Sequence, residues 1–214
     1  MKIGVVIPDR NDRPLFLQHC ISALKNQSIK PDKVCLVNHA PYDEKPDLTQ
    51  RVRLGFETLR HEVDCVLIME NDDYYCPNYI ESMVYGWDKM NRPEIFGINS
   101  TIYYHIKTKE YRILQHNKRA SLMSTLISTN ARFEWCADNE VFLDIKLWGQ
   151  LEGATVKQDL DRPLAIGIKH GQGLCGGTGH TTLRYKETDS DDSYLKQRVT
   201  EDSFNFYRQV AKLL

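Results

Sequence analysis

The sequence predicts an α/β domain built around a mostly parallel central sheet. Short apolar runs alternate with amphipathic helical segments through the first half of the chain, and this order is typical of parallel strands joined by right-handed crossovers. Polar residues follow the apolar runs, and open sheets of this kind bind ligands at the carboxyl ends of their strands. The length of 214 residues fits one domain with a sizeable core.

The first three predicted strands are apolar runs over residues 2–7, 32–38 and 64–69. Pro14 suits the first turn of a helix, and the apolar residues that follow it recur at helical spacing: Leu17, Cys20, Ile21 and Leu24. A second helix is predicted over 48–61. We expect a third helix to open at Pro77, because Ile80, Met83, Val84 and Trp87 share a helical face.

The second half has a less regular pattern. It predicts strands over 94–99 and 122–128, and a hairpin over 102–114 with a polar turn at 107–110. A helix is expected over 139–151, with Val141, Ile145 and Trp148 on one face. Residues 186–193 are acidic and polar, which predicts a flexible linker. An amphipathic terminal helix would then fold back onto the domain through its apolar residues: Val199, Phe206, Val210 and Leu213.

The run Val66 to Asp73 carries the strongest functional signal. Four apolar residues deliver Glu70, Asn71, Asp72 and Asp73 at the end of a buried strand. Carboxylates packed this tightly repel one another, and a hard divalent cation such as Mg²⁺ or Mn²⁺ resolves the repulsion while sharing a nucleotide diphosphate. The alternative is an acidic turn that caps the helix starting near Pro77.

Three ordered matches over about the first 85 residues resemble the family 2 glycosyltransferases of the GT-A type. The turn 8–12 (Pro-Asp-Arg-Asn-Asp) corresponds to the family's Pro-Thr-Tyr-Asn-Arg-like turn, and Asn26-Gln27 to its helix end. The stretch 38–41 follows the second strand, where the family has Asp-Asp-Gly-Ser. The acidic run lies where the family keeps Leu-Asp-x-Asp-Asp, with the following proline matched by Pro77.

The resemblance implies a single GT-A, Rossmann-like domain of the nucleotide-diphospho-sugar transferases over residues 1–185. Residues 1–100 would bind the nucleotide-sugar, and 101–185 would form the acceptor half with a glycine-rich loop. Residues 186–214 would be the linker and the docked terminal helix. The implied activity is metal-dependent transfer of a sugar from a nucleotide-sugar, most simply a UDP-sugar, to an acceptor hydroxyl with inversion, and the implied cofactor is Mn²⁺ or Mg²⁺.

By position, Asp72 matches the last Asp of the Asp-x-Asp motif and is the expected metal ligand. Glu70 takes the place of the first Asp and, being longer, would contact the metal through water or the sugar. Asp73 is either a ligand, a sugar-hydroxyl acceptor or a structural cap. The remaining donor contacts implied are Pro8, Asp9, Arg10, Asn11, Asn38 and Asn71, although Arg10 alternatively makes a surface salt bridge. Asn38 replaces an acidic residue that often helps to hold the nucleoside.

Inverting transfer needs a base for the acceptor hydroxyl, which the family supplies just before a helix. Aligning Leu143 and Lys146 with the family's Leu and Arg places Glu140 on the catalytic carboxylate. Asp138 is the rival candidate, or else the N-cap of the helix. Asp144 is expected to be a solvent-facing helix charge.

Five glycines lie within residues 171–179, a density that excludes a stable helix or an ordinary strand and favours a loop close to a ligand. Its backbone amides would be free to meet phosphate oxygens. The resemblance implies that a histidine of this late loop completes the metal site, with His180 the first candidate and His170 the second. Lys169 and Arg184 would balance the diphosphate charge, or are simply solvated.

The acceptor side contains a basic and aromatic patch with two interpretations. Its members are Arg112, His116, Lys118, Arg119, Tyr103, Tyr104 and Tyr111. Basic groups with stacking rings can track a phosphate backbone, which suits a hydroxymethylated pyrimidine in DNA, as in phage. The alternative is an exposed charged hairpin, with a glycan or small-molecule hydroxyl as the acceptor.

Composition narrows the function classes. Apolar residues make up 41% and charged residues 27%, as in ordinary globular chains, and the net charge of −1 argues against a strong overall nucleic-acid field. No membrane span or signal peptide is predicted, so we expect a cytoplasmic protein with six free thiols. A nucleotidyltransferase and a non-catalytic sugar-nucleotide or glycan-binding module remain alternatives, although residues 8–13 lack the glycine of a nucleotidyltransferase loop.

Overall fold

The computed structural model describes residues 1–41, 44–172 and 186–214. Its strands are β1 (Ile3–Pro8), β2 (Lys33–Val37), β3 (Cys65–Ile68), β4 (Tyr74–Tyr75), β5 (Ile95–Ile98), β6 (Ser100–His105), β7 (Glu110–Gln115), β8 (Thr125–Ser128), β9 (Gly153–Val156), β10 (Ala165–Lys169) and β11 (Glu187–Thr188). Its helices are α1 (Pro14–Lys25), α2 (Leu48–Leu59), α3 (Tyr79–Lys89), α4 (Leu143–Gln150), α5 (Ser193–Arg198) and α6 (Glu201–Val210), and a 3-10 turn covers Leu122–Ser124.

The strands form two sheets. The larger has the order β2-β1-β3-β8-β5-β9, and the smaller has the order β11-β7-β6-β10-β4. In the larger sheet β1 is parallel to β2 and β3, and β5 is parallel to β9, whereas β8 is antiparallel to both of its neighbours. All its strands except β8 therefore run in one direction, and the predicted mostly parallel central sheet is confirmed.

The early helices bury their apolar sides, α3 as predicted and α1 in part. In α1 the predicted Cys20 and Leu24 are buried together with Phe16, whereas Leu17 and Ile21 are half-buried. In α3 the predicted face is buried: Ile80, Met83, Val84 and Trp87. The five cysteines in the described residues are free thiols, as expected. None of the described helices is long and apolar enough to cross a membrane.

The predicted start of α4 is wrong. The helix begins at Leu143 instead of residue 139 and buries Leu143 and Leu147, while Ile145 is 45% exposed. The backbone N–H of Phe142 donates to the Glu140 side chain over 3.1 Å, so residues 140–142 form a turn ahead of the helix. This shift changes which side chains the helix directs inward.

The predicted linker over 186–193 is also wrong. Strand β11 pairs with β7, and the carboxylate of Asp189 is buried. It accepts hydrogen bonds from the Tyr104 hydroxyl and from the backbone N–H groups of Tyr194 and Leu195. The segment is held because its acidic side chain supplies acceptors for otherwise unpaired buried donors.

The terminal helix docks on the domain, as the amphipathic pattern predicts. Helix α6 buries Tyr207 and Val210, and the ring of Phe206 stacks on His19 of α1 with centroids 4.1 Å apart. Leu213 lies beyond the helix and is exposed. Helix α6 therefore covers α1, the helix that follows the first strand.

The path of the chain between β3 and β4 brings the two sheets together. Strand β3 belongs to the larger sheet and β4 to the smaller one, so residues 69–73 connect the sheets. Strand β10 pairs with β4 and with β6, which places its carboxyl end beside this connection. The acidic run is therefore the connection at which the two sheets meet.

We expect Gly97→Ala to destabilise the fold by about 1–3 kcal/mol, because an added Cβ overpacks a filled core. That atom would lie 2.5 Å from the Ala120 Cβ and 2.6 Å from the Ser124 carbonyl oxygen. Gly149→Ala is the matched control, since an added Cβ there meets nothing within 4 Å and alanine favours the helix by about 0.5–1 kcal/mol. Urea unfolding of both variants checks the prediction, which fails if the two changes have the same sign and size.

Candidate functional site

A cavity of about 270 Å³ opens at the carboxyl end of β1 and β3. Both sheets contribute to it, through the acidic connection, Lys169 of β10, and Tyr103 and Arg112 of the β6–β7 hairpin. The start of α4 and the segment before α2 complete the described lining. Its position matches the strand-end site that the parallel sheet predicts.

The carboxylates of the acidic connection converge. One oxygen from each of Glu70, Asp72 and Asp73 lies within 4.8 Å of the other two. Burial, and then the charge of Asp72, raise the pKa of Glu70 to about 7. Burial and the charges of Glu70 and Asp72 also raise the pKa of Asp73 well above its ordinary value. The cluster therefore carries unfavourable charge in a desolvated place.

Asp72 is held by two side chains from distant parts of the chain. Arg13 pairs with Asp72 Oδ2, and His170 Nε2 lies 2.9 Å from the same oxygen and 3.1 Å from Arg13 Nη1. Burial alone would raise the pKa of Asp72, but Arg13 and His170 outweigh it and lower that pKa. The pKa of Asp72 is thus lowered, whereas those of its neighbours Glu70 and Asp73 are raised.

Asp73 also stabilises the junction of the sheets. Its Oδ1 accepts a hydrogen bond of 2.8 Å from the backbone N–H of Ile168 in β10. The backbone N–H of Glu70 donates to the Tyr75 hydroxyl over 2.7 Å. One oxygen of Asp73 is therefore used structurally, and Glu70, Asp72 and Asp73 all line the cavity.

The three carboxylates fit a divalent cation by their chemistry. Mg²⁺ and Mn²⁺ take hard oxygen ligands, and such a charge would remove the repulsion that raises the pKa of Glu70 and Asp73. Arg13 already supplies one positive charge at Asp72. His170, the second histidine candidate, lies beside Asp72, whereas His180 and Arg184 lie outside the described residues.

The predicted donor contacts divide into two groups. Pro8, Arg10, Asn71 and Lys169 line the cavity with Glu70. Asp9, Asn11 and Asn38 are not among the described lining residues.

Asp9 is buried, with its carboxylate accepting from the Asn71 side chain and from the backbone N–H of Asn11. It therefore orients Asn71, while Asn38 is exposed beyond the end of β2.

Lys169 balances the acidic cluster. Burial would lower the pKa of Lys169, but Asp73, Tyr103, Asp72 and Glu70 together raise it. Its Nζ lies 5.0 Å from the centroid of the Tyr103 ring. Gly167 provides room for this ring, because a Cβ at that position would lie 2.5 Å from Tyr103 Cδ1. Lys169 is therefore a charged, desolvated cation placed to meet an anionic ligand.

Sequence reasoning missed the pair Asp47 and Arg51. Arg51 is 1% exposed, and its guanidinium donates to the backbone carbonyls of Asp9 and Val37 and to Asp47 Oδ2. Asp47 also pairs with Arg10 over 2.8 Å. The sequence feature that could have indicated this pair is the four-residue spacing between Asp47 and Arg51 across the start of α2. This spacing by itself predicts only an ion pair on the helix surface.

The structure places the predicted bases outside the cavity. Asp138 pairs with Arg53 over 2.8 Å with both side chains exposed, and Glu140 accepts from the backbone of Phe142. Neither is a described lining residue, whereas Asp144 is.

The expectation that Asp144 faces solvent is wrong. Its side chain is 16% exposed and pairs with Arg119. The later start of α4 puts Asp144 in the first turn of the helix, where its side chain lines the cavity.

Comparisons with known proteins identify the fold. No protein-family model and no curated protein matches the chain. Among solved structures, S. aureus TarS 1–349 in complex with UDP has a TM-score of 0.51 at 12% identity, over 78% of this chain and 60% of that one. The same protein in complex with UDP-GlcNAc has a TM-score of 0.50 at 11% identity, over 100% of this chain and 66% of that one.

A197 from STIV has a TM-score of 0.50 at 11% identity, over 73% of this chain and 82% of that one. The chain thus spans less than two thirds of TarS 1–349. At these identities the likeness shows the fold alone, and it confirms the predicted GT-A architecture.

We expect Arg13→Met to lower the free energy of unfolding by about 2–4 kcal/mol in chelator-treated buffer, because it leaves the largely buried Asp72 without its cation. Arg53→Met is the matched control. It removes the exposed pair with Asp138 and should change stability by less than about 1 kcal/mol. Adding Asp72→Asn to Arg13→Met should recover part of the loss. Equal losses in the two single variants would contradict this account.

Proposed function

We propose that this chain is a glycosyltransferase that moves a sugar from a nucleotide-diphosphate donor, a UDP-sugar, to an acceptor hydroxyl with inversion. One observation carries the proposal. One cavity in a GT-A fold holds a cluster of three carboxylates, the half-buried Lys169 and a separate carboxylate, Asp144. The TarS structures with UDP and UDP-GlcNAc add support for this type of donor.

The donor end of the cavity lies around the acidic connection. Glu70, Asp72 and Asp73 would hold Mn²⁺ or Mg²⁺, which supplies Lewis-acid stabilisation of the leaving diphosphate. Lys169 would add a fixed positive charge for the same phosphates. Arg10, with Asp47 beside it, would contact the nucleoside at the end of β1.

Asp144 is the proposed base. Its carboxylate would accept the proton of the acceptor O–H as that oxygen forms its bond to the anomeric carbon of the sugar. The bond from this carbon to the diphosphate oxygen breaks, and the electron pair leaves with UDP. Burial raises the pKa of Asp144, against the lowering effect of Arg119, and a raised pKa makes a carboxylate a better proton acceptor near neutral pH.

The acceptor would be a glycan, a small molecule or a hydroxymethylated pyrimidine in DNA. Arg112, His116 and Arg119 from the predicted basic patch line the cavity, whereas Lys118 is exposed outside the described lining. The patch thus supplies cationic groups to the site itself and is more than a charged hairpin surface.

Mn²⁺-dependent hydrolysis of a UDP-sugar panel tests the donor site, with water as the acceptor. We expect slow release from one donor, loss of activity with chelator, and a fall of at least about 10²-fold in Asp72→Asn because a cation ligand is removed. Asp138→Asn should match the native protein, since its side chain lies outside the cavity. The proposal is wrong if no donor is hydrolysed and none shifts the melting temperature.

The same assay assigns the base. Asp144→Asn should reduce hydrolysis by about 10²-fold or more, the usual worth of a general base, while the affinity for the donor measured by calorimetry changes little. Glu140→Gln and Asp138→Asn should keep both properties. If Glu140→Gln abolishes turnover and Asp144→Asn does not, the base is Glu140 and the helix start must differ in the working enzyme.

A further inference from the structure

One wall of the cavity carries positive charge that the donor does not require. The strand period of two directs Arg112 and Leu114 of β7 to the same face, and His116 continues this pattern into the cavity. Arg119 joins them from the following segment. We call Arg112, His116 and Arg119 the basic wall.

Arg112 differs from the other arginines of the cavity. Arg10, Arg13, Arg51 and Arg119 each pair with a carboxylate. Within the described part of the chain Arg112 has no such partner, and its buried Nε makes no hydrogen bond. Its guanidinium lies 5.5 Å from the centroid of the Tyr103 ring, its cross-strand neighbour. Arg112 is half-buried, and a guanidinium that is partly removed from water is costly without an anion.

His116 lies close to the positive charges of Arg119 and Arg112, and its pKa is affected by them. Burial, followed by the charges of Arg119 and Arg112, lowers the pKa of His116 to about 4. Its Nε2 lies 3.1 Å from Ser121 Oγ, which in turn lies 2.9 Å from the Tyr103 hydroxyl. The histidine is therefore neutral and fixed in place, and both arginines lie near it.

The basic wall adjoins both parts of the proposed chemistry. The Tyr103 ring has Arg112 near it at 5.5 Å and Lys169 at 5.0 Å, so one ring separates the wall from the donor end. Arg119 pairs with Asp144. An anion on the wall would therefore lie close to the hydroxyl that Asp144 deprotonates.

We propose that the basic wall binds a phosphate group that the acceptor carries next to its reacting hydroxyl. This inference rests on the proposed function, because it assigns the acceptor side of that site. Donors from three side chains suit a phosphate, which has several acceptor oxygens, and the unpaired Arg112 supplies the uncompensated charge. A nucleic-acid track would need several free cations in a row, and of the two arginines in this wall only Arg112 lacks a carboxylate partner in the described residues.

Calorimetry on the intact chain with Mg²⁺ tests the inference in two steps. Titration with UDP first tests the donor site. Titration of the UDP-saturated protein with sn-glycerol 3-phosphate, glycerol and glycerate then tests the anion. We expect only the phosphate compound to bind measurably, at least 10-fold more weakly to Arg112→Gln and within twofold of the native affinity to Lys118→Gln. UDP affinity should be the same in all three proteins.

Three results would overturn the inference. Unchanged binding of glycerol 3-phosphate by Arg112→Gln would show that the wall does not hold the phosphate. A parallel loss of UDP affinity would assign Arg112 to the donor diphosphate, and equal binding of glycerate would remove the preference for phosphate. If UDP does not bind but glycerol 3-phosphate binds through Arg112, the proposed function fails and the acceptor assignment fails with it.

A further titration with a phosphodiester distinguishes two kinds of acceptor, a phosphodiester-linked polymer and a small phosphorylated molecule. Glycerophosphoglycerol should bind as well as glycerol 3-phosphate if the acceptor is a phosphodiester-linked polymer, and more weakly if it is a small phosphorylated molecule. Both results support a phosphate subsite. Tight binding of hydroxymethylated DNA with a steep salt dependence, unaffected by Arg112→Gln, would replace the inference with an extended nucleic-acid surface.

Discussion

The burial of several carboxylates in the connection between the two sheets is the constraint on which the rest of this structure depends. Residues 69–73 leave β3 of one sheet and enter β4 of the other, so the acidic side chains cannot turn away into solvent. Buried carboxylates need cations or donors. Arg13 at the start of α1 supplies one of them, and His170 and the backbone N–H of Ile168 at the end of β10 supply the others.

This arrangement links stability to the site. The groups that hold Asp72 and Asp73 come from α1 and β10, and α1 is itself covered by the terminal helix through the stacked rings of His19 and Phe206. Lys169 and Arg13 lie beside the acidic cluster, and their positive charges offset the negative charge of its carboxylates. A diphosphate with its cation would fit the same balance, which is why this end of the cavity supports the donor assignment.

The other end of the cavity is built by the hairpin and by α4, and its charges are arranged differently. At the acidic cluster the cations pair with carboxylates, whereas Arg112 on the hairpin has no carboxylate partner in the described structure and lies near the Tyr103 ring. The pair of Arg119 and Asp144 connects this wall to the proposed base. The end of the cavity at the acidic cluster therefore suits the leaving diphosphate, and the end at the hairpin and α4 suits the acceptor.

The sequence by itself determined the strands β1, β2, β3, β5 and β8, the β6–β7 hairpin, the early helices and the acidic connection, because these depend on local periodicity and on residue types that only a metal or a polar cluster accommodates. It placed Asp72 and Asp73 at the site for this reason, whereas Lys169 was expected either to balance the diphosphate charge or to be simply solvated. It did not locate Asp144, since the start of α4 depends on a turn closed by Glu140. The places of Arg13 and Asp47 at the site, and the lack of a carboxylate partner for Arg112 in the described residues, were decided only by the tertiary structure, because a charge next to a distant residue leaves no periodic signal in the chain.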